Sequence, residues 1–459
     1  MTTVLLYTAG VVFFVGAILV SIGLHELGHM IPAKRFGGKV TQYFIGFGPT
    51  VWSKQVGETE YGVKAIPLGG YVKIVGMLPP GAEELAGPVE HDAQGNEVHK
   101  VRKSNTGLFT QLVSDARSAE YETITAADED RLFYKMPPWK KIVVMAGGPS
   151  VNILIAFLLF WTVFSTYGDM SAASAEPAPG RPVVAEVSRC VIPYSEQRTD
   201  CREGDPDAPA FEAGLLPGDT ITDFNGTAVT SWDQLRGLIR DNASGAAVIG
   251  FERDGQREVG RTSTTVELRP DDLTGEDETL TEVGFLGVSP EAELVVPTGG
   301  PLYTIERMGS LTVDTVQAIG TLPVKVFEVG QAIVGVEERQ ADSPVSIVGG
   351  GRIAGETAST TEVPGGDRAF SLLALVAGFN LFIGVFNFVP LLPLDGGHIA
   401  GAAWESVRRR LAWLRRRPDP GYVDVARMLP VAYGFGLVLM VMGVVLIIGD
   451  VVAPISLAG

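Results

Sequence analysis

Residues 23–35 read GLHELGHMIPAKR and close an almost unbroken apolar run that begins near Val4. On a helix, residues four apart share one face, so His25 and His29 can point at the same metal ion. Glu26 lies about 100° round the helix from His25, near that ion without having to bind it. This spacing is typical of zinc hydrolases, in which the glutamate accepts a proton from water.

The pattern has a second interpretation, because His-Glu-x-x-His also occurs by chance in soluble proteins, where histidine is usually a core or surface residue. Inside a membrane helix this alternative is weak, since three ionisable groups on one turn are costly unless something compensates them. A bound cation supplies that compensation. The sequence therefore predicts His25 and His29 as metal ligands, Glu26 as the catalytic residue, and one Zn²⁺ per chain as cofactor.

A catalytic zinc usually has three protein ligands, so a third one is expected elsewhere in the chain. Residues 386–401 read FNFVPLLPLDGGHIAG, and the two prolines interrupt a helix and let the chain turn. We predict Asp395 as the third metal ligand, with His398 as the competing ligand. Asn387 is a candidate donor to the substrate carbonyl or its developing oxyanion. Its alternative role is a helix–helix hydrogen bond.

The composition indicates a membrane protein with acidic aqueous parts: 46% of the 459 residues are hydrophobic, yet the net charge is −17. Four stretches are apolar and long enough to cross a bilayer, roughly 4–27, 141–166, 370–389 and 429–449. The first has no basic residue before it and no small-residue cleavage pattern after it. We therefore predict a retained span there, not a cleaved signal peptide.

Basic residues predict the orientation of these spans, because positive residues beside a span stay in the cytoplasm. They follow span 1, precede span 2 and lie between spans 3 and 4, which places both chain termini outside. The segment 168–369 is then extracytoplasmic, and it holds 34 Asp and Glu against 15 Lys and Arg. No basic stripe of the kind that binds nucleic acid is present. The basic clusters are Lys34, Arg35 and Lys39; Lys135, Lys140 and Lys141; and Arg408–Arg410 with Arg415–Arg417.

The two arginine triplets have two interpretations. With Trp404, Trp413 and Leu414 nearby, they are typical of an interfacial segment held by anionic lipid headgroups. The alternative is a topology signal only.

Residues 42–77 are rich in aromatic and β-branched residues and contain several glycines, which predicts short strands and turns. Non-helical backbone at membrane depth is tolerated only against protein or a water-filled cavity, so this region is expected to line a cavity. We predict that its first strand offers a free sheet edge that pairs with an extended substrate. The strand-pairing candidates are Tyr43, Phe44, Ile45, Gly46 and Phe47.

Residues 209–240 predict a short helix, a strand, an Asn225-Gly226 turn and a helix N-capped by Ser231. This order resembles a bacterial PDZ domain over residues 183–287. Such a domain binds an extended peptide by strand addition, and the alternative is a bulky gate that only restricts access. Cys190 and Cys201 predict a disulfide in an oxidising compartment, with two unpaired thiols as the alternative.

The chain as a whole resembles the site-2 protease family of intramembrane zinc metalloproteases. It is most similar to the bacterial regulated-intramembrane-proteolysis type, in particular that of actinobacteria, and departs from some relatives in having one PDZ-like domain and a long 78–134 loop. The resemblance rests on His25 to His29, Gly46-Phe47-Gly48-Pro49, Gly147-Gly148-Pro149 with Asn152, and Asn387 to Gly396.

This resemblance implies hydrolysis of peptide bonds inside the spans of single-pass proteins, in the plasma membrane of a bacterial cell. Anti-sigma factors already trimmed by an upstream site-1-type protease, or remnant signal peptides, are the implied substrates. Two other classes remain alternatives: a metal transporter that uses the same histidines, and a non-catalytic membrane scaffold that presents a PDZ domain.

The expected fold class is a polytopic α-helical membrane protein of about four transmembrane helices, with a membrane-associated β-hairpin or sheet and an extracytoplasmic α+β PDZ-like domain. The predicted divisions are 1–41 (helix 1), 42–77 (β region), 78–140 (cytoplasmic loop), 141–166 (helix 2), 167–182 (linker), 183–287 (PDZ-like domain), 288–369 (amphipathic extracytoplasmic segment), 370–401 (helix 3), 402–428 (basic interfacial cytoplasmic segment) and 429–459 (helix 4 and C-terminus).

Overall fold

The computed structural model describes residues 2–79, 89–91, 97–99, 126–177, 180–196, 198, 200–270, 280–340, 342–360 and 364–455. Most of the predicted loop 78–140 lies outside these residues. The described α-helices are Thr2–Arg35 (α1), Pro138–Thr166 (α2), Pro209–Glu212 (α3), Trp232–Asp241 (α4), Pro301–Ile333 (α5), Ile347–Ser359 (α6), Gly365–Asn387 (α7), Asp395–Leu414 (α8) and Leu429–Val452 (α9).

The described strands form several small antiparallel sheets. They are Val40–Val56 (β1), Thr59–Ile74 (β2), Val89–His91 (β3), Glu97–His99 (β4), Ser174–Pro177 (β5), Val184–Val187 (β6), Thr220–Phe224 (β7), Thr227–Ala228 (β8), Ala246–Arg253 (β9), Gln256–Ser263 (β10), Thr265–Pro270 (β11), Leu280–Phe285 (β12), Val288–Pro290 (β13) and Ala292–Val295 (β14). The chain divides into two compact units, one of Met1–Gly168 with Thr298–Gly459 and one of Asp169–Pro297.

Four helices of the described chain are long and apolar enough to cross a membrane: α1, α2, α7 and the span Val425–Val452 that contains α9. The four predicted spans are confirmed in number and in approximate position. A long amphipathic segment, predicted only as part of 288–369, forms the 33-residue helix α5 and the shorter helix α6.

Glycines bring helix backbones into direct contact within the first unit, Met1–Gly168 with Thr298–Gly459, which we call the membrane unit. Gly28 on α1 and Gly147 on α2 face each other so closely that a Cβ on either would overlap the carbonyl of the other. Gly10 makes the same kind of contact with Ala354 on α6. The α2 backbone therefore lies directly against the histidine-bearing face of α1.

The sheet of β1 and β2 corrects one prediction from the sequence. Residues 42–45 of β1 pair on one side with 70–73 and on the other side with 60–63. The expected free edge at Tyr43–Phe47 is therefore wrong for Tyr43, Phe44 and Ile45, because both sides of this strand already have backbone partners. No described strand pairs with the other side of 70–74, so that segment is a free edge.

The second unit has a four-stranded sheet in the order β10-β9-β7-β8. Its core contains Leu215, Ile221, Phe224, Leu235 and Ile249. The predicted local features are confirmed: Asn225 and Gly226 both have positive φ in the turn after β7, and the Ser231 side chain accepts a hydrogen bond from the Gln234 N–H at the start of α4.

Cys190 and Cys201 form a disulfide in this unit. Arg198, between the two cysteines in the sequence, donates hydrogen bonds to Asp205, which follows the second one. These bonds lower the pKa of the Asp205 carboxyl to about 2. The loop is thus held by a covalent link and by a carboxylate that stays ionised in mildly acidic and neutral solution. At the base of the unit, β5 pairs with β14, and the Asp169 N–H donates to the Pro297 carbonyl. The chain therefore enters and leaves the unit side by side.

Candidate metal centre

Two histidines from α1 and one aspartate from α8 bring three ligand atoms together inside the membrane unit. The Nε2 atoms of His25 and His29 lie 3.2 Å apart. Each Nε2 atom lies 3.3 Å from Oδ2 of Asp395. Among the described residues, these three are the group of His, Cys, Asp or Glu placed to hold a metal ion.

The spacing of the three atoms fits zinc. Ligand atoms about 2.0–2.2 Å from a tetrahedral zinc lie about 3.3–3.6 Å from one another. The observed separations of 3.2–3.3 Å lie at the short end of this range, within about 0.1 Å of it. Three protein ligands also leave the fourth position for water or substrate, which is the usual form of a catalytic zinc site.

The main chain of α2 sets the tautomer of His29. Its Nδ1 lies 2.8 Å from the Val144 carbonyl, which can only accept a hydrogen bond. Nδ1 must therefore carry the proton, and the lone pair of Nε2 is left for the metal. This is the usual outer-shell arrangement of a zinc-bound histidine.

His25 is oriented by a chain of two amides. Asn380 on α7 donates from Nδ2 to the Val376 carbonyl, so its Oδ1 faces Asn152. Asn152 on α2 then donates to Asn380 over 3.1 Å and presents its own Oδ1 to His25 Nδ1 at 2.6 Å. This series of hydrogen bonds ends at the Val376 carbonyl, which can only accept. The orientation of each side-chain amide in the series is therefore determined. His25 therefore also has Nδ1 protonated and Nε2 free for the metal.

Gly148 of α2 faces the Nε2 atoms of both histidines. A Cβ at this position would overlap Nε2 of both His25 and His29. The glycine next to Pro149 is thus required for space: any larger residue would occupy the metal site. The sequence showed this Gly-Gly-Pro only as a family resemblance, and the structure supplies its physical reason.

Asp395 reaches the histidines because the chain breaks and restarts here. Helix α7 ends at Asn387, and α8 begins at Asp395 after seven residues. Gly396 and Gly397 pack so tightly on the main chain of 388–392 that neither position has room for a Cβ. The aspartate lies in the first turn of α8, where a helix favours negative charge.

A buried ion pair joins α8 to α2. Lys141 Nζ donates to Glu405 Oε2 over 2.8 Å, and the two side chains are 7% and 2% exposed. Since α2 orients both histidine rings and α8 carries Asp395, this pair links the two elements that complete the site. No sequence pattern pointed to it, because 264 residues separate the partners.

Glu26 faces the same site from α1. It lines a cavity of about 420 Å³ with the three predicted ligands and with Gly70, Tyr71 and Val72 of β2. The Val72 main chain faces the Glu26 carboxylate. The free edge of the sheet therefore runs past the residue predicted to move protons.

The remaining candidates lie in or beside this cavity. His398 lines it from the first turn of α8 but is not part of the three-atom group. Asn387 also lines it, and its Nδ2 donates to the Ile383 carbonyl of its own helix, so the alternative of a helix–helix hydrogen bond is not observed. Sequence reasoning missed Asn380, whose only signal was a polar residue inside an apolar span.

Loss of the amide chain should weaken metal binding. We expect Asn152→Leu to lower zinc affinity by about 10–100-fold, because His25 loses the acceptor that fixes its tautomer and ring orientation. Competition with a chromogenic chelator measures this affinity. The control is Asn387→Leu, which lies in the same cavity but contacts no ligand nitrogen and should bind zinc as the parent does. Equal affinities for all three proteins would contradict the role of Asn152.

The described chain combines a three-ligand site that fits zinc with four helices long and apolar enough to cross a membrane. This combination is typical of an intramembrane zinc metallopeptidase. A model described as "Peptidase family M50" matches residues 13–418. The chain belongs to this family.

Relatives from several bacteria agree with the family assignment. The chain is 32% identical to "Zinc metalloprotease Rip1" of Mycobacterium tuberculosis (strain ATCC 25618 / H37Rv), covering 99% of this chain and 100% of the relative. The protein of the same name from Mycolicibacterium smegmatis is 31% identical over the same shares. "Metalloprotease MmpA" of Caulobacter vibrioides is 26% identical over 86% of each chain.

Proposed function

We propose that this chain hydrolyses peptide bonds within the spans of single-pass membrane proteins, with His25, His29 and Asp395 as zinc ligands and Glu26 as the catalytic base. The observation that carries the proposal is the set of three ligand atoms 3.2–3.3 Å apart, beside Glu26, in a membrane-spanning unit. The names of the relatives, which describe zinc metalloproteases, support it.

In this mechanism the protein positions substrate and moves protons. Zinc, when bound, supplies Lewis acidity, which makes water a nucleophile near neutral pH and polarises the scissile carbonyl. Glu26 accepts the proton that the attacking water loses and returns it to the leaving amide nitrogen. Asn387 can turn its amide from the Ile383 carbonyl to the substrate carbonyl oxygen, where a hydrogen bond favours the developing negative charge.

The deciding experiment incubates purified protein, reconstituted in a bilayer, with a single-pass reporter and maps the products by mass spectrometry. The proposal expects a cut within the reporter span that a zinc chelator stops and added zinc restores. Zinc movement across the bilayer without any cut would favour the transporter. An intact reporter and no zinc movement would favour the scaffold.

A helical substrate must become extended before attack, because its carbonyls are hidden in its own hydrogen bonds. The edge at 70–74 lines the cavity beside Glu26 and has no described strand partner, so it is placed to pair with an extended segment. This edge replaces the one expected at Tyr43–Phe47 as the proposed docking strand.

A proline at this edge should impair substrate binding. In Val72→Pro the main chain loses an N–H that faces Glu26 and the cavity. One lost hydrogen bond of about 1 kcal/mol raises KM about fivefold, with zinc content unchanged. Cleavage rates over a range of substrate mole fractions measure KM and kcat separately.

The matched control is Val51→Pro, since Val51 is exposed on the opposite edge and has no partner in the β1–β2 register. It should cleave like the parent. A change confined to kcat in Val72→Pro would mean that the N–H acts only through Glu26, which would contradict strand pairing.

The proposal also includes an orientation of the chain in the membrane and a class of substrate. If the basic clusters lie in the cytoplasm, as the positive-inside rule predicts, both termini and the unit Asp169–Pro297 are outside. That unit, which includes the PDZ-like segment 183–287, would favour substrates whose ectodomain a site-1-type protease has removed. Pre-trimmed anti-sigma factors and remnant signal peptides have this form.

Removal of the unit should relax substrate selection. Because its two ends meet at Asp169 and Pro297, a short Gly-Ser linker from Gly168 to Thr298 can replace it. We expect this variant to cut an untrimmed substrate at a rate close to that for the trimmed one. The trimmed substrate is the internal control, and an unchanged preference for it would count against a gate.

A further inference from the structure

The second half of α8 carries an apolar stripe on its exposed side. Trp404, Val407, Leu411 and Leu414 are 56%, 47%, 41% and 63% exposed. At about 100° per residue they fall within an arc of about 80°, so they form one continuous face. No described residue covers it.

The opposite face of α8 is the one that packs on the protein. Ala402 and Glu405 are 4% and 1% exposed, and Glu405 holds Lys141 of α2. The stripe therefore points away from the helices of the site. It belongs to a multi-pass membrane protein, whose spans have lipid-facing apolar surfaces of their own.

The arginines around the stripe fall into two groups. Arg408 donates to the Pro420 carbonyl, and Arg409 pairs with Glu405 at 3.0 Å, so both fasten α8 to its own protein. Arg410 and Arg415–Arg417 are exposed, and within the described chain their guanidinium groups have no ion-pair partner. Arg410 on the helix lies on one side of the apolar stripe, and Arg415, the first residue after the helix, lies on the other side.

We propose that residues 404–417 form a lipid-binding surface, in which Trp404, Val407, Leu411 and Leu414 enter the acyl region and Arg410 and Arg415–Arg417 bind the phosphates of anionic phospholipids. An apolar helix face bordered by cationic side chains is the pattern of an interfacial helix, because arginine extends its charged end to the headgroups while its stem covers apolar surface. The unpaired positive charge of these arginines complements the net negative charge of an anionic headgroup. A zwitterionic headgroup has no net charge to balance it.

The test uses the full chain in bilayer discs that contain phosphatidylcholine and phosphatidylglycerol in a fixed ratio, with bromine on the acyl chains of one lipid or the other. Brominated lipid quenches tryptophan that it touches, and the difference between the parent and Trp404→Phe isolates Trp404, which lies in the stripe and is 56% exposed. We expect the brominated phosphatidylglycerol to quench Trp404 as though this lipid were enriched about fivefold or more beside the stripe, which corresponds to about 1 kcal/mol for a basic residue at the surface.

Arg410→Gln/Arg415→Gln/Arg416→Gln/Arg417→Gln should reduce this enrichment to the bulk ratio, and high salt should weaken it in the parent. The matched control removes the same charge from the other unit: Arg181→Gln/Arg236→Gln/Arg257→Gln/Arg261→Gln should keep the enrichment. Equal quenching by both lipids in the parent would show contact without headgroup selection and overturn the proposal. Absence of quenching by either lipid would show that water or protein covers the stripe, and would overturn it as well.

Discussion

Glu26→Gln should cleave a transmembrane reporter about 10²–10⁴-fold more slowly than the parent, while still binding one zinc per chain. Glutamine has the same shape as glutamate but cannot accept a proton. It leaves the three ligand atoms and both outer hydrogen bonds of the histidines untouched. The expected loss therefore falls on kcat, and single-turnover cleavage with zinc analysis of the same sample measures it.

Two control variants distinguish the loss of the base from the loss of the metal. Asp395→Ala removes a ligand, so it should lose both zinc and activity, whereas Glu26→Gln should lose activity alone. Glu26→Asp keeps an acceptor but shortens its reach, and should retain part of the rate. Cleavage by Glu26→Gln at the parental rate would exclude Glu26 as the base.

Lys141→Met should destabilise the membrane unit by about 3 kcal/mol, the lower end of the range for breaking a buried ion pair. The cost arises because Glu405, 1% exposed, is left buried with less compensation. It is at the lower end because Glu405 keeps Arg409 at 3.0 Å and the Val423 N–H at 3.2 Å. Detergent-driven unfolding followed by circular dichroism gives this free energy.

The double variant Lys141→Met/Glu405→Leu is the decisive comparison, since it removes both charges and puts apolar atoms in their place. It should recover most of the lost stability. Arg409, only partly buried, can still pair with Asp419. The losses of stability in Lys141→Met and in Glu405→Leu alone are measured for comparison. If the double variant lost as much stability as these two single variants together, the two residues would act independently and the ion pair would carry no coupling energy.

The sequence predicted the parts of this site that depend on local periodicity and on helix breaks. His25, Glu26 and His29 share a helix turn, so their spacing alone brings them together. Asp395 was recognisable because two prolines and a pair of glycines turn the chain at a carboxylate. The four spans followed from length and apolarity, and these are properties of single segments.

Contacts between residues far apart in the sequence could not be predicted in the same way. The Lys141–Glu405 pair and the Asn152–Asn380 hydrogen bond join residues 264 and 228 positions apart. Asn152 and Asn380 stand out as polar residues inside apolar spans, but no local pattern shows which residue each of them contacts. The strand edge failed for a related reason. Glycines and aromatic residues predict strands in 42–77, but which strand is internal depends on how β2 folds back to flank β1 on both sides.

The amide chain that orients His25 has an electrical consequence. Histidine ligands of zinc are commonly held by carboxylates, which carry a full negative charge. Here Asn152, Asn380 and the Val376 carbonyl are neutral, so the transmembrane voltage, worth about 2.3 kcal/mol per elementary charge per 100 mV, exerts no net force on this support. The alignment of His25 should therefore be the same in an energised cell as in a depolarised one.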